Sequence, residues 1–358
     1  RMTQAHAFLP PSGADNWAAC AAWPTMQQTH PDLGDPTASE EGTRAHELLA
    51  RAIMGGVNPY LEAPEEMADA VMVAADYARS LPVAEWHVER HLSGERIAPG
   101  GVNRGMPDLL GWHGLNLYVL DFKYGHRHVP HIGNLPLVNY AALEIENAVN
   151  VDGLVEQNVM VHLTIIQPRA YGHDPVRTWK IPAGELRAYS NVLANAAARA
   201  LRPNAPASTG PQCTYCNGRH ACAALRQVAG AAIDLSNGGS SSIALTPAAV
   251  GAELALVDAA ISRLDAVRAG LQEQARHTLQ SGGQIPGWQM QSKSGREAWR
   301  LPADQVLALG VPAGPSKPVT PTQARKAGVP PEVIALLASR PTTAPELVRA
   351  DPEAKGIF

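Results

Sequence analysis

The amino-acid sequence predicts an α/β fold, in which a mixed sheet is flanked by helices and followed by a mainly helical C-terminal extension. Residues 84–124 alternate apolar and polar side chains as strands do, whereas the segments on either side have the three- to four-residue spacing of helices. A second strand-like apolar run at 158–169 lies between two helical segments, which is the order typical of α/β proteins.

The length of 358 residues exceeds that of one typical domain. We predict a first domain over residues 1–228, a linker over 229–245 and an extension over 246–358. The linker contains "SNGGSSS" at 236–242, a composition that favours a flexible chain.

Composition narrows the class of protein. Hydrophobic residues make up 45% of the chain, enough for a packed core, and the net charge is −4. A nucleic-acid partner would therefore be held by a local groove or through metal ions, not by an overall basic surface. No apolar run approaches the roughly 20 residues of a membrane span, and the first residues lack the layout of a signal peptide. We expect a soluble, cytoplasmic protein with no membrane partner.

The first helical segments cover residues 12–56 in pieces and then residues 65–81. The second piece ends at Gly55-Gly56, a helix stop. Within it His46, Leu49 and Ile53 share one face, so His46 is predicted to point inward. A hydrogen-bonded core histidine is the usual explanation of that pattern.

Three successive strands are predicted at residues 84–92, 104–113 and 115–124. Gly114 between the second and third strands indicates a hairpin. A helix over 134–149, the strand at 158–169 and a helix over 183–201 complete the predicted core.

The third strand ends in "LYVLDFKYGHRH", which places Asp121 and Lys123 on the same face. An isolated Asp-x-Lys is usually a local ion pair. Here Asp108, in "GMPD" before the hairpin turn, supplies a second carboxylate on a paired strand. Two carboxylates and an imidazole suit Mg²⁺ or Mn²⁺. Lys123 would orient or deprotonate a water and support charge on a phosphate. The corner from Gly105 to Asp108 would let a backbone approach closely.

The four cysteines are Cys20 and the three in "QCTYCNGRHAC", Cys213, Cys216 and Cys222. A disulfide framework is not expected in a chain of this length without a secretory signal, and the surroundings do not resemble a thioredoxin-type motif. Three close thiolates and one remote thiol suit a tetrahedral zinc site or a four-cysteine iron–sulphur cluster. The spacing alone does not separate the two.

The C-terminal extension begins with a long helix capped at Thr246-Pro247. Its apolar stripe predicts packing against the core or another helix, or a dimer contact, and consists of Leu254, Val257, Ile261, Leu264, Val267 and Leu271. "GWQMQSKSGREAWRL" predicts a hairpin around Ser294-Gly295, whose tryptophans and basic residues suit either DNA contact or surface packing. Residues 302–358 are expected to hold two short helices and no chemistry.

These residues together carry a family resemblance. The ordered set His46, Gly105-x-x-Asp108, Asp121-x-Lys123 and Tyr140 resembles the PD-(D/E)XK nuclease superfamily, in its RecB-type branch. The cysteine set resembles that of its iron–sulphur members, which include CRISPR-associated exonucleases and the AddB subunit of bacterial helicase-nucleases. "DFKYG", "IIQPR" and "TPTQARKAG" resemble a phage- and prophage-borne family of such proteins.

The resemblance implies a restriction-endonuclease-like core that hydrolyses DNA phosphodiesters with Mg²⁺ or Mn²⁺. It implies an exonuclease acting on DNA ends in phage recombination or repair, in bacteria or phage-infected cells, with DNA and a phage recombination protein as partners. It also implies a 4Fe–4S cluster on Cys20, Cys213, Cys216 and Cys222, which would pin the N-terminal helix to the C-terminal edge of the core.

The resemblance also assigns roles to individual residues. His46, Asp108, Asp121 and the carbonyl of Phe122 would bind the metal; Lys123 would act on the attacking water; Glu89 matches a glutamate often found near the site; Tyr140 would contact substrate. One departure is Pro136, which stands where the family commonly has a DNA-contacting Gln. The alternatives are a catalytically inactive DNA-binding or scaffold protein that retains the fold, and a zinc-binding structural protein, which leaves the carboxylate pair unexplained.

Overall fold

The computed structural model describes residues 7–152, 154–228, 246–292, 298–312, 318–339, 342 and 345–349. The chain forms two compact units, Arg1–Gly270 and Leu271–Phe358. The first unit thus extends beyond the predicted linker at 229–245, whose residues lie outside the described ones. In the described part of the chain, no helix has the length and apolar character needed to cross a membrane.

The first unit is built on a five-stranded mixed sheet. Its strands are β1 (His87–Val88), β4 (Leu109–His113), β5 (Asn116–Phe122), β6 (Met160–Ile166) and β7 (Val176–Pro182), in the order β1-β4-β5-β6-β7. β5 and β6 are parallel, and the other neighbours are antiparallel. The short strands β2 (Leu92–Ser93) and β3 (Arg104–Gly105) pair separately. The predicted mixed α/β architecture is confirmed.

Helices cover both faces of this sheet. They are α1 (Ala14–Ala19), α2 (Trp23–Thr29), α3 (Thr37–Ile53), α4 (Glu65–Ser80), α5 (Leu135–Asp152) and α6 (Ala183–Ala200). Alternate residues of β5 enter two separate cores, as the strand period of two requires. Leu117 and Val119 pack with α5 and α6, whereas Tyr118, Leu120 and Phe122 pack with α3 and α4.

The hairpin of β4 and β5 is confirmed, with His113 paired to Asn116 and Gly114 in the left-handed region at φ +56°. The prediction of one continuous strand over 84–92 is wrong, because Glu89 has φ +46° and turns the chain after β1. The segment 104–113 likewise forms two strands, β3 and β4. β7 was not predicted.

The N-terminal segment is part of the same core. Leu9 and Trp17 are fully buried. The Leu9 amide donates to the carbonyl of Val102, and the Asn103 side chain donates to the carbonyl of Leu9. These bonds hold residues 9–13 against α5, in the helical layer on one face of the sheet.

The helix α7 (Pro247–Gln280) begins in the first unit and ends in the second. Most of its predicted apolar stripe is exposed, at Leu254, Val257, Ile261 and Leu271, whereas Ala266 is buried beside the cysteine segment. The part of α7 around Ala266 packs on the cysteine segment, and Val267 of the predicted stripe takes part in this contact.

The second unit contains β8 (Trp288–Gln291), β9 (Ala298–Trp299), α8 (Ala303–Ala308), α9 (Pro321–Lys326), α10 (Pro331–Leu337), β10 (Ala338–Ser339) and β11 (Glu346–Arg349). β8 pairs with β11 and β9 pairs with β10, so the predicted hairpin joining β8 to β9 is wrong. The described residues after 302 form three short helices, not two. Trp299 packs into this unit's own core and donates to the carbonyl of Val319.

Candidate functional site

A cavity of about 1030 Å³ opens at the ends of β4 and β5. Six of the predicted site residues line it: His46, Glu89, Asp108, Asp121, Lys123 and Tyr140. The register of the hairpin explains part of this convergence. Leu109 pairs with Leu120, so the next position along the two strands sets Asp108 opposite Asp121. The Phe122 side chain, in contrast, is buried in the core on the α3 and α4 side.

Asp108 joins three elements. One carboxylate oxygen lies 2.9 Å from Nδ1 of His46 on α3, and the other accepts a hydrogen bond of 2.7 Å from the Phe122 amide of β5. The Asp108 carbonyl accepts from the amide of Glu89. Burial disfavours the protonated form of His46, but the hydrogen bond and charge of Asp108 outweigh it, so the net effect raises the pKa of His46. The buried core histidine predicted from the helix face is therefore half-buried at a cavity wall.

Asp121 and Lys123 form an ion pair within the cavity. The Lys123 Nζ lies 2.9 Å and 2.8 Å from the two carboxylate oxygens of Asp121. Burial raises the pKa of Asp121, the Lys123 charge opposes this, and the Asp108 charge adds to it. Burial acts to lower the pKa of Lys123, but the charges of Asp121 and Asp108 outweigh it and raise that pKa. Two carboxylates thus share one ammonium group.

Glu89 lines the cavity in a left-handed conformation at φ +46°. This region costs a non-glycine L-residue about 1–2 kcal/mol. Strained backbone of this kind is concentrated at functional sites. The conformation is held by the bond from the Glu89 amide to the Asp108 carbonyl, which ties the two acidic residues together.

The N-terminal segment supplies residues that the sequence analysis missed. Pro10 and Ser12 line the cavity, and Ser12 hydrogen-bonds the Tyr140 side chain. Asp15 on α1 accepts a bond from the Leu135 backbone and interacts with the charge of Lys123; burial raises its pKa. No local pattern identifies these residues, because they reach the site only through the tertiary fold.

The close approach expected at Gly105 involves this same segment. A Cβ added to Gly105 would lie 2.8 Å from Cδ of Pro11 and 3.3 Å from Cε1 of Tyr140. Any larger residue would push the N-terminal segment away from α5. Glycine at position 105 therefore allows the N-terminal segment, which carries Ser12, to pack against Tyr140.

Within the described residues, no group of three or more His, Cys, Asp and Glu side chains is arranged to hold a metal ion. At the carboxylate centre the reason is visible, because His46 and Asp108 bond each other and Lys123 covers Asp121. The donor types nevertheless suit a hard divalent cation. A cation between Asp108 and Asp121 would relieve the repulsion that raises the pKa of Asp121. The donor types therefore suit a metal, although their arrangement here does not yet form a site for one.

The four cysteines line one small cavity of about 20 Å³, beside the short 3-10 helices Pro211–Tyr215 and Asn217–His220. All four are buried free thiols. The Ser208 amide donates to Sγ of Cys20 at 3.3 Å, and the Gly210 amide to Sγ of Cys213 at 3.4 Å. Burial raises the pKa of Cys213 and raises that of Cys216 to about 11.

The chemical surroundings of the four thiols suit a metal cluster, but the volume of the cavity does not. Four buried thiols with N–H donors on sulphur are the surroundings typical of an iron–sulphur cluster. The indole Nε1 of Trp23, which lines the cavity, is buried with no hydrogen-bond partner among the described residues, so a sulphide acceptor would satisfy it. The volume, however, holds about one water-sized group. In this arrangement the four thiols are therefore not placed to hold a four-iron cluster.

The fold and site define a mixed α/β protein with an acidic, lysine-containing cavity at its central hairpin and a separate cysteine cavity. The chain belongs to the family described as protein of unknown function (DUF2800), whose model matches residues 6–309. This match covers the first unit and enters the second. A comparison with curated proteins finds no match.

Proposed function

We propose that this protein is a metal-dependent deoxyribonuclease with a PD-(D/E)XK core of the RecB type, which acts as an exonuclease at DNA ends. The observation that supports the proposal most directly is the convergence of Asp108, Asp121 and Lys123 at one end of the β4–β5 hairpin. Opposed carboxylates destabilise a strand pair. A purely structural role gives no reason to keep them together.

His46, Asp108, Asp121 and the Phe122 carbonyl would hold Mg²⁺ or Mn²⁺. A bound divalent cation polarises a phosphoryl oxygen and acidifies a water molecule. Because the pKa of Lys123 is raised, its side chain is an ammonium group when the carboxylates carry no metal. In that state Lys123 is paired with Asp121. With a metal on the carboxylates, Lys123 would orient the attacking water and support charge on a phosphate. The cavity of about 1030 Å³ has room for a nucleotide at the strand end.

A cofactor at the second cavity forms part of the proposal. Cys20, Cys213, Cys216 and Cys222 would hold a 4Fe–4S cluster, supported by the amide donors on sulphur and the unpaired indole of Trp23. Zinc is the second candidate, favoured by the small volume of the cavity. Metal analysis of protein purified without oxygen separates them: about four irons and a brown colour for the cluster, or one zinc and no colour.

Hydrolysis of end-labelled linear DNA with Mn²⁺ or Mg²⁺ tests the nuclease proposal. We expect Asp121→Asn and Lys123→Met to lower the rate at least about 100-fold, since each removes a charge from the reaction centre. Lys180→Met, which changes an exposed lysine on β7, is the matched control and should leave the rate unchanged. Closed circular DNA should resist the wild-type protein, because an exonuclease requires an end.

A catalytically inactive DNA-binding protein is the second candidate function, favoured because the site's charged groups already satisfy one another in pairs. In that case purified protein would bind DNA without cutting it in either metal. Wild-type activity in Asp121→Asn would contradict the proposed mechanism outright.

A further inference from the structure

Two loops leave the same end of the sheet, because β5 and β6 are parallel and end together at Phe122 and Ile166. They cover residues 123–134 and 167–175. Their combined sequence, "KYGHRHVPHIGN" and "QPRAYGHDP", contains one acidic residue, Asp174, against three Lys or Arg and four His. In a chain of net charge −4, this is a local concentration of basic and titratable groups.

Two exposed tyrosines contact side chains of the first loop: Tyr171 on the second loop and Tyr215 at the end of the short helix Pro211–Tyr215. Tyr171 is 74% exposed, and its ring centre lies 5.6 Å from that of His126. Tyr215, between two cysteines, is 67% exposed, and the Arg127 guanidinium lies 5.9 Å from its ring centre. We name Tyr171, Tyr215, His126 and Arg127 the aromatic loop surface. Large exposed aromatic rings next to cations are features of a binding surface rather than of a packed core.

The backbone beneath this surface is held in place by Gln167, which is 1% exposed. Its Nε2 donates to the carbonyls of Gly125 and Arg127, at 2.8 Å and 2.7 Å. Its Oε1 accepts from the Val129 amide and from Arg177, both at 3.0 Å. One buried side chain thus fastens the first loop to the second. A surface fixed before binding loses less conformational entropy when a ligand arrives.

The charges around the surface are not equivalent. Arg169 lies over the buried Tyr124 at 4.2 Å and pairs with Glu41 and Glu66, so its charge serves to hold the loop against α3 and α4. Arg127 is exposed above Tyr215. His128 and His173 stack with their ring centres 3.9 Å apart. The outward positive charge of the surface therefore comes from Arg127.

We propose that the aromatic loop surface binds single-stranded DNA, with bases stacking on Tyr171 and Tyr215 and a phosphate at Arg127. The inference rests on the proposed nuclease function and names how its substrate approaches. The first of the two loops starts at Lys123, which lines the cavity, so the loop and the cavity are adjacent along the chain. Stacking suits a protein that cuts without regard to sequence, because every base offers a π face.

Binding of a 5′-labelled single strand, measured by fluorescence anisotropy in the absence of divalent cations, tests this without hydrolysis. We expect Tyr171→Ala and Tyr215→Ala each to raise Kd about tenfold, within the range of one lost base stack. The matched control is Tyr60→Ala, because Tyr60 is also exposed but hydrogen-bonds Asp69 on an acidic stretch; its affinity should equal that of the wild type. The Tyr→Phe variants should bind as the wild type does, since they keep the ring.

Two further readouts separate stacking and phosphate binding from a structural effect. The wild type should bind a strand with abasic sites more weakly than an intact strand, and the Tyr171→Ala/Tyr215→Ala variant should lose this difference. Arg127→Ala should lower the slope of log Kd against log salt concentration by about 0.7. Equal metal content in all variants shows that the cysteine segment is intact.

Three outcomes would overturn the inference. One is an unchanged Kd in Tyr171→Ala/Tyr215→Ala while the wild type still degrades DNA. This result would refute DNA binding at the aromatic loop surface but not the proposed nuclease function. Another is a tyrosine variant that loses the same affinity for intact and abasic strands, or for single strands and duplex. Such a result would show that bases do not stack on the two tyrosines. The third is a wild type that binds no DNA and cuts none, which removes both proposals together.

Discussion

Gln167→Leu replaces the side chain that fastens the two loops after β5 and β6. Leucine nearly matches glutamine in size but makes none of its four hydrogen bonds. Each net bond contributes about 1 kcal/mol, so the gross loss is about 4 kcal/mol. The carbonyls of Gly125 and Arg127 belong to exposed residues and regain water, and Arg177 keeps its bonds to the carbonyls of Asp174 and Val129. We therefore expect the free energy of unfolding to fall by about 2–3 kcal/mol.

Urea unfolding followed by far-ultraviolet circular dichroism measures this difference. Gln157→Leu, at an exposed position in the same unit, is the control and should change stability by no more than about 0.5 kcal/mol. Native-state hydrogen exchange gives the local effect, because the Val129 amide loses its acceptor and should exchange faster.

A loss below about 1 kcal/mol in Gln167→Leu, with unchanged exchange at Val129, would refute the assignment of Gln167 as the fastening residue. Loss of stability together with weaker binding of single-stranded DNA would connect loop order to the aromatic loop surface. Loss of stability with unchanged binding would show that the loops form the surface only after contact with DNA.

Three other predictions follow from single residues. Glu89→Gly should be about 1 kcal/mol more stable than Glu89→Ala by urea unfolding, because only glycine is unstrained at φ +46°; equal stability would contradict the left-handed conformation. Asn139→Leu should raise the free energy of unfolding by about 1–3 kcal/mol, since both polar atoms of this fully buried amide lack hydrogen-bond partners among the described residues; a destabilised variant would reveal a bound water or ion. Burial raises the pKa of Cys216 to about 11, above the value near 8.5 of an unfolded thiol, so the folded metal-free protein holds a proton that the unfolded chain loses. Its melting temperature should therefore fall from about pH 8.5 to 11, and Cys216→Ser should flatten this slope.

Much of the central fold was predictable because its signals are local. The apolar run that forms β5 and the hairpin glycine Gly114 both lie within a few residues of the structure that they specify. β7 was missed because its alternation is interrupted by Arg177, which is buried on this strand and bonds the neighbouring loop. The C-terminal hairpin was wrongly predicted because β8 and β9 pair with strands about 40 or more residues away along the chain.

The candidate site likewise contains residues that were predictable from local sequence and residues that were not. Asp108, Asp121 and Lys123 are placed by one hairpin, so their convergence was predictable from the pairing of two adjacent strands. Ser12 lines the cavity and Asp15 interacts with the charge of Lys123, and both belong to the N-terminal segment, whose position depends on bonds to residues near 102. The buried Gln167 in "IIQPR" is the signal that could have identified the fastening of the loops, because a polar residue directly after an apolar strand requires partners when buried.

The shared cysteine cavity also sets an order of events during synthesis. Cys20 leaves the ribosome 193 residues before Cys213. At elongation rates of about 5–20 residues per second, its thiol remains without the other three for roughly 10–40 s. During that interval it is exposed to oxidation, and the helices α1 and α2 lack the segment that later covers them. Slow codons between these positions should therefore lengthen the interval in which the Cys20 thiol is uncovered and lower the fraction of chains that keep it reduced.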